Sequence, residues 1–206
     1  MRKWRNNMKI AVVLVGNSKK KLKNLEKLYQ KNKPLEKHKL IIVYNGKDNY
    51  TKAIKCKNDK KGRDAYMYYQ AVKKYDAEFY FFMNDDIVYI KDKEWLSTAI
   101  RLKAEIVGVQ PNLSAVVSTN VIKKIAKRVP TKWIQWGDTA QFIRTSAFGC
   151  TRDYFLRLWE ASDGNAQKFE KRTLKIADSY AFFNNPFYIH DSNLAPYYKY
   201  FKENGK

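Results

Sequence analysis

Residues 84–86 read Asn-Asp-Asp, directly after five apolar residues, Phe79 to Met83. An apolar run of that length reads as a buried strand. Asp85 and Asp86 then stand at its tip, where two adjacent carboxylates repel each other unless a positive charge lies near. Hard divalent cations such as Mg²⁺ and Mn²⁺ prefer such oxygens and keep open positions for water and phosphate. Asp86 is the first candidate metal ligand, with Asp85 beside it. The bland alternative is a polar turn after a strand, where Asn and Asp are common.

The elements around this tip follow from periodicity. Residues 8–17, MKIAVVLVGN, form an expected strand ending at Gly16. Ser18 is placed to cap a helix over 18–31, with Leu22, Leu25, Leu28 and Tyr29 on one face. HKLIIVYNG (38–46) is a second buried strand with a turn at its end. GRDAYMYYQAVKKY (62–75) is a helix facing inward through Ala65, Met67, Tyr68, Ala71 and Val72. EFYFFMNDD is the next strand, 92–103 a helix capped by Asp92, and 104–112 another strand. Alternation of this kind implies α/β architecture: a mostly parallel twisted sheet with helices on both faces. Ligands bind such sheets beyond the carboxyl ends of the strands. Gly16, Asn45 with Gly46, and Asn84–Asp86 all fall there.

The second half changes character. Residues 129–149 mix turns with a strand-like AQFIRTSAF; 151–162 is a helix, 173–185 a shorter helix, and 186–193 a terminal strand and loop. With no repeat or low-complexity linker, 1–206 is expected to be one domain. Its lobes are a nucleotide-type lobe over about 8–112 and an acceptor-type lobe over about 113–206.

The chain has 206 residues, 45% of them hydrophobic and 15% aromatic, enough for a sizeable core. The longest apolar run, IAVVLV at 10–15, is too short to cross a membrane, and no secretory signal is apparent. Cys56 and Cys150 form no CxxC and accompany no His cluster, which argues against a disulfide scaffold or a structural zinc site and fits a reducing cytosol. The formal net charge is +21. Such a balance suits nucleic acid, anionic lipid or phosphorylated small molecules, or records only solvated faces.

In order and spacing these segments resemble glycosyltransferases of the GT-A fold, the family 2-like group, over most of the chain. AVVLVGN looks like the first strand and its nucleotide-facing loop, which points to Gly16 and Asn17, and LIIVYNG like the second strand, with Tyr44 and Asn45 after it. NDKKGRDAYMYYQAVKKYDAEFYFFMNDD looks like the family's Asn-x-Gly helix, strand and Asp-x-Asp motif. FIRTSAFGCTRDYFLRL looks like the elements preceding the acceptor site. The first acid of the motif is replaced by Asn84, and the family's Glu-Asp pair reads Ala177-Asp178. The resemblance implies a Rossmann-like nucleotide lobe and transfer from a nucleoside-diphosphate sugar, most simply a UDP-sugar, to a glycan, protein or lipid acceptor with inversion. It implies Mn²⁺ or Mg²⁺ held by Asp86, Asp85 and the late His190. Asn84 and Asp85 would lie at the nucleotide, and Arg63 and Asp64 near its base.

An inverting transfer also needs a carboxylate near the acceptor hydroxyl. Asp178 is the candidate base and Asp138 its rival, with Trp133 and Trp136 as stacking surfaces for a sugar. His38, between lysines, reads as a surface residue. The basic rim suits an anionic donor or peripheral contact with an anionic membrane. Two other classes compete. A nucleic-acid-binding protein or metal-dependent nuclease would use the charge, but no zinc finger or aromatic RNA-binding signature appears. A sugar nucleotidylyltransferase shares the early strand order but wants a Gly-rich loop ending in Arg and Lys, where VGNSKKKLKN has only Gly16.

Overall fold

The computed structural model describes residues 8–90, 93–109, 143, 145–183 and 187–189. Over them the chain forms β1 (Ile10–Gly16), α1 (Lys19–Lys31), β2 (Lys39–Tyr44), β3 (Ile54–Lys55), α2 (Arg63–Lys74), β4 (Phe79–Asn84) and β5 (Ile87–Ile90). There follow α3 (Trp95–Arg101), β6 (Ile106–Val109), β7 (Ala147–Thr151), α4 (Arg152–Ala161), α5 (Ala166–Arg172), β8 (Tyr180–Phe183) and β9 (Phe187–Ile189). Seven strands make one sheet in the order β3-β2-β1-β4-β7-β6-β8. Its pairings are parallel except at β7, which runs antiparallel to both β4 and β6. The early and late halves of the chain therefore share one sheet.

Strand alternation sorts the core onto two faces. Val12, Leu14, Phe79, Phe81 and Met83 pack against Leu22, Leu25 and Tyr29 of α1 and Trp95, Leu96 and Ala99 of α3. Ala11, Val13, Val15, Tyr80 and Phe82 face the other way. They meet Ala65, Met67, Tyr68, Ala71 and Val72 of α2, Tyr154, Phe155 and Leu158 of α4, and Phe169 of α5. β1 and β4 are buried on both faces, so they read as unbroken apolar runs. Burial of each such large side chain stabilises the fold by roughly 1.5–3 kcal/mol. Ser18 caps α1 by accepting from the Lys21 N–H at 3.4 Å.

Several local expectations change. Of the helix expected over 173–185, the described residues 173–183 are not helical. α5 ends at Arg172, where the Thr173 hydroxyl bridges the Glu170 carbonyl at 2.9 Å and the Ile143 N–H at 2.6 Å. The run Tyr180–Phe183 then pairs in parallel with Ile106–Val109, so sheet pairing overrides the helical spacing. The strand expected within 140–148 lies later, at β7. Helix α3 begins at Trp95 rather than after Asp92, and Glu94, at its capping position, makes no side-chain cap bond. IVYI, not expected as a strand of its own, pairs as β5 with β9 in a separate antiparallel ribbon. His38 is partly buried, its Nε2 against the Tyr29 hydroxyl and its Nδ1 2.6 Å from the Glu36 carbonyl.

Candidate functional site

The carboxyl ends of β1, β2 and β4 meet at one edge of the sheet, because the three strands are parallel neighbours in register. Val15 pairs with Asn84 and Gly16 with Tyr44, so the tips are level. The Asn45 N–H donates to the Gly16 carbonyl at 3.3 Å and closes the first two tips together. Asp85 folds back over β1, and its Oδ2 accepts from the Ser18 N–H at 3.2 Å. Gly16 makes this possible. A Cβ there would lie 2.5 Å from Asp85 Oδ2, inside any tolerable contact.

Asn84 is buried and links three elements. Its Nδ2 donates to Asp64 Oδ2 at 2.9 Å, its Oδ1 accepts from the Asp86 N–H at 3.3 Å, and its own N–H donates to the Ser146 carbonyl at 3.0 Å. Asn thus serves where a fourth acid beside Asp64, Asp85 and Asp86 would add repulsion: its amide can donate to Asp64 while its carbonyl accepts. Asp64 stands in the first turn of α2, a position that favours a carboxylate. The loop before it is fixed by Asp59, whose Oδ1 accepts from the N–H groups of Lys61 at 2.8 Å and Gly62 at 2.7 Å. Arg63 then takes a left-handed φ of 45°, a strained conformation for a side-chain-bearing residue, and its side chain is exposed.

Charge in this cluster is unbalanced. Burial pushes the Asp85 carboxyl up to about 6, and the neighbouring charges of Asp86 and Asp64 push the same way against the Ser18 N–H and Lys21. Burial raises Asp64 as well, against the Asn84 hydrogen bond. Lys21 reaches across from α1 and donates to Asp86 Oδ1 at 3.1 Å, a contact that raises its own pKa. In the sequence Lys21 is one of three consecutive lysines, 19–21, and its position three residues after the Ser18 cap was the available signal. Three carboxylates in mutual electrostatic reach, with one ammonium between them and solvent, fit a hard divalent cation by donor type and by charge. Among the described residues no group of three His, Cys, Asp or Glu is close enough to hold a metal alone. A cation here would draw its remaining ligands from water or a ligand's phosphates.

The structure does not gather every candidate. Tyr44 is only 2% exposed, its ring edge-on to Tyr50 at 5.9 Å and covered by the Lys55 ammonium at 4.8 Å. It walls the site and offers no open face for stacking. Asn17 is exposed beside Gly16. Asp178 lies at the opposite end of the sheet from Asn84–Asp86. It precedes β8, where Tyr180 pairs with Ile106 at the amino end of β6, and its N–H donates to Glu105 Oε2 at 3.0 Å. Its side chain is 81% exposed and 3.6 Å from Arg157. The length of β4, about 20 Å at strand rise, separates that end from Asp86. Asp138, Trp133, Trp136 and His190 lie outside the described residues. Ile189, just before His190, pairs with Ile87, just after Asp86. β6 ends and β7 begins at the site's edge of the sheet, and the chain re-enters β7 beside Asn84, whose N–H donates to the Ser146 carbonyl.

The fold is that of the GT-A glycosyltransferases. The chain is similar to TarS of S. aureus, with a TM-score of 0.53 and 18% identity over 93% of this chain and 38% of that one. It is also similar to glucosyl-3-phosphoglycerate synthase from Mycobacterium tuberculosis in complex with Mn²⁺, UDP and phosphoglyceric acid. That match has a TM-score of 0.52 and 12% identity over 90% of this chain and 72% of that one. A further complex of the same enzyme, with Mn²⁺, UDP-glucose and phosphoglyceric acid, matches with a TM-score of 0.51. The chain thus spans well under half the length of TarS and most of the synthase. No protein-family model and no curated protein sequence matches it. No described helix is long and apolar enough to cross a membrane.

Proposed function

We propose that the protein is a metal-dependent glycosyltransferase that takes a sugar from a nucleoside-diphosphate sugar, with UDP as the preferred carrier. The observation that carries this is the convergence of Gly16, Asn45, Asp64 and Asn84–Asp86 at the carboxyl edge of a GT-A sheet. The structurally similar synthase was crystallised with Mn²⁺ and UDP-glucose, which supports the donor class. Asp86 and Asp85 are the proposed metal ligands, and the Ile87–Ile189 pairing supports His190 as a third. Mn²⁺ or Mg²⁺ held there supplies Lewis-acid stabilisation of the leaving diphosphate. Asn84 orients Asp64 and the tip, Gly16 leaves room for Asp85, and the exposed Arg63 and Asn17 are the proposed nucleotide contacts. The proposed lobes are about residues 8–112 for the donor and about 113–206 for a glycan, protein or lipid acceptor, with β7 and β8 of the second lobe in the same sheet as the first. With Asp178 at the far edge, the base of an inverting transfer is assigned to Asp138.

The test is a thermal-shift panel of UDP, GDP, CDP, ADP and a short DNA duplex, with and without Mn²⁺, on wild type and Asp86→Ala. A ligand that binds only the native state raises the melting temperature by mass action. The reading expects stabilisation by UDP, only with Mn²⁺ and only in wild type. Stabilisation by DNA alone, fading with salt, would replace it with nucleic-acid binding.

A further inference from the structure

A second surface, distinct from the carboxylate cluster, runs along the outer side of α1. Lys19, Lys23, Lys27 and Gln30 line one wall of an open groove of about 640 Å³, and Asn49, Tyr50, Thr51 and Lys52 of the loop after β2 line the other. Lys19, Lys23 and Lys27 are four residues apart on one helical face, so their stems rise by about 6 Å each. The opposite face of α1 is the buried one, with Leu22, Leu25 and Tyr29. Lys21, between the faces, is turned to Asp86 and does not line the groove.

The groove has its own internal order. Glu26, its one acid, is 16% exposed; it accepts from the Tyr50 hydroxyl and lies 3.4 Å from Lys52. That pairing holds the loop against α1 and consumes the negative charge. Among the described residues Lys19, Lys23 and Lys27 form no ion pair. Three like charges in a row on one helix repel and weaken it slightly. Folding alone therefore does not explain their alignment.

We infer that this groove binds a linear polyanion, an unbranched chain of directly linked phosphate groups, along the Lys19–Lys23–Lys27 row, each lysine meeting about every second phosphate. The walls favour a chain without bases. Tyr50, the groove's one aromatic, is buried with its hydroxyl engaged by Glu26, so no open ring is available for base stacking. A concave surface flanked by a loop also fits a narrow chain better than a bilayer. The groove begins at Lys19, next to Ser18, and so approaches the rim of the strand-tip cluster. The inference rests on α1 and the 49–52 loop, and stands independently of the donor assignment.

The experiment measures binding of a short inorganic polyphosphate by isothermal titration calorimetry across a salt series. It uses wild type, Lys23→Gln/Lys27→Gln, and the equally charged control Lys37→Gln/Lys171→Gln, whose lysines are exposed elsewhere. Wild type is expected to bind with a log–log salt slope of about −2 to −3, as neutralising three phosphates would give. The groove variant should lose at least tenfold while the control stays within twofold. Melting temperatures and Mn²⁺-dependent UDP binding should be equal in all three. Equal losses in both variants would overturn the site, because net charge alone would then account for binding. So would single-stranded DNA of equal charge, free phosphate or anionic vesicles binding as tightly as the polyphosphate.

Discussion

The Lys21 ammonium sits 3.1 Å from Asp86 Oδ1, so the residue best placed to take a cation already holds one. Both side chains are partly exposed, at 54% and 37%, and the pair contributes at most about 1 kcal/mol to stability. Lys21→Ala should therefore change the melting temperature little. It removes a competing charge, so Mn²⁺ alone should bind roughly fivefold tighter, on the order of 1 kcal/mol. Mn²⁺ titration followed by electron paramagnetic resonance reads this directly. Weaker binding in the variant would mean that Lys21 supports the metal site and does not oppose it.

Gly16→Ala should damage the site through shape. Its new methyl would collide with Asp85 Oδ2 and with the Asp85 Cβ at 2.9 Å. Either Asp85 leaves the Ser18 N–H or β1 shifts, a strain of about 1–3 kcal/mol. Mn²⁺-dependent UDP binding should fall at least tenfold, with a melting temperature lower by several degrees. A variant that binds UDP normally would show that Asp85 is free to sit elsewhere.

Stability should depend on pH through Asp85. Its carboxyl titrates at about 6 in the folded chain against an ordinary 3.8, so the folded state binds the proton more tightly. The stabilisation from this group is then greatest below about pH 4 and is lost as pH rises through about 6. It amounts to at most about 3 kcal/mol. Denaturant unfolding in EDTA from pH 4.5 to 7.5 should show Asp85→Asn gaining on wild type as pH rises. A constant difference would mean that burial does not shift this carboxyl.

Asp178→Asn should leave sugar transfer within twofold of wild type, because its carboxylate lies beside Arg157 at the amino edge of the sheet. Asp86→Ala should abolish transfer. A thousandfold loss on changing Asp178, with the fold intact, would contradict the strand order on which its placement depends.

Phe82→Ala tests the core beneath the site. Phe82 is fully buried, with ring centroids of Tyr68 at 4.8 Å, Phe148 at 4.9 Å and Phe155 at 5.1 Å. Truncation there should cost about 3–5 kcal/mol in equilibrium denaturation. A cost below about 1 kcal/mol would mean that the aromatic neighbours close the space.

The first half of the fold was legible because its strands are buried on both faces and its helices are amphipathic. All five inward residues expected for α2 are buried, and Ser18 caps α1 as its type and position suggested. The second half was less legible. Tyr180–Phe183 carries no local mark separating a strand from a helix, and only pairing with β6, more than seventy residues earlier, decides it. The same blindness displaced Asp178: its neighbour Glu105 is 73 residues away in sequence. The Lys21–Asp86 contact, 65 residues apart, was hidden for the same reason, whereas Gly16 and Asn84–Asp86 announced themselves as polar breaks at the ends of apolar runs.

The reversed direction of β7 has a consequence for how such a chain can diversify. β6 runs toward the edge that carries Asn84–Asp86 and β7 runs away from it, so the connection between them starts and ends at that edge. Its return is pinned where the Thr145 carbonyl accepts from the Tyr68 hydroxyl at 2.8 Å and the Ser146 carbonyl from the Asn84 N–H. The sheet fixes both ends of this connection independently of the sequence between them. On the proposed reading, changes in that intervening sequence would retune acceptor choice while every strand that carries the donor machinery stays as it is.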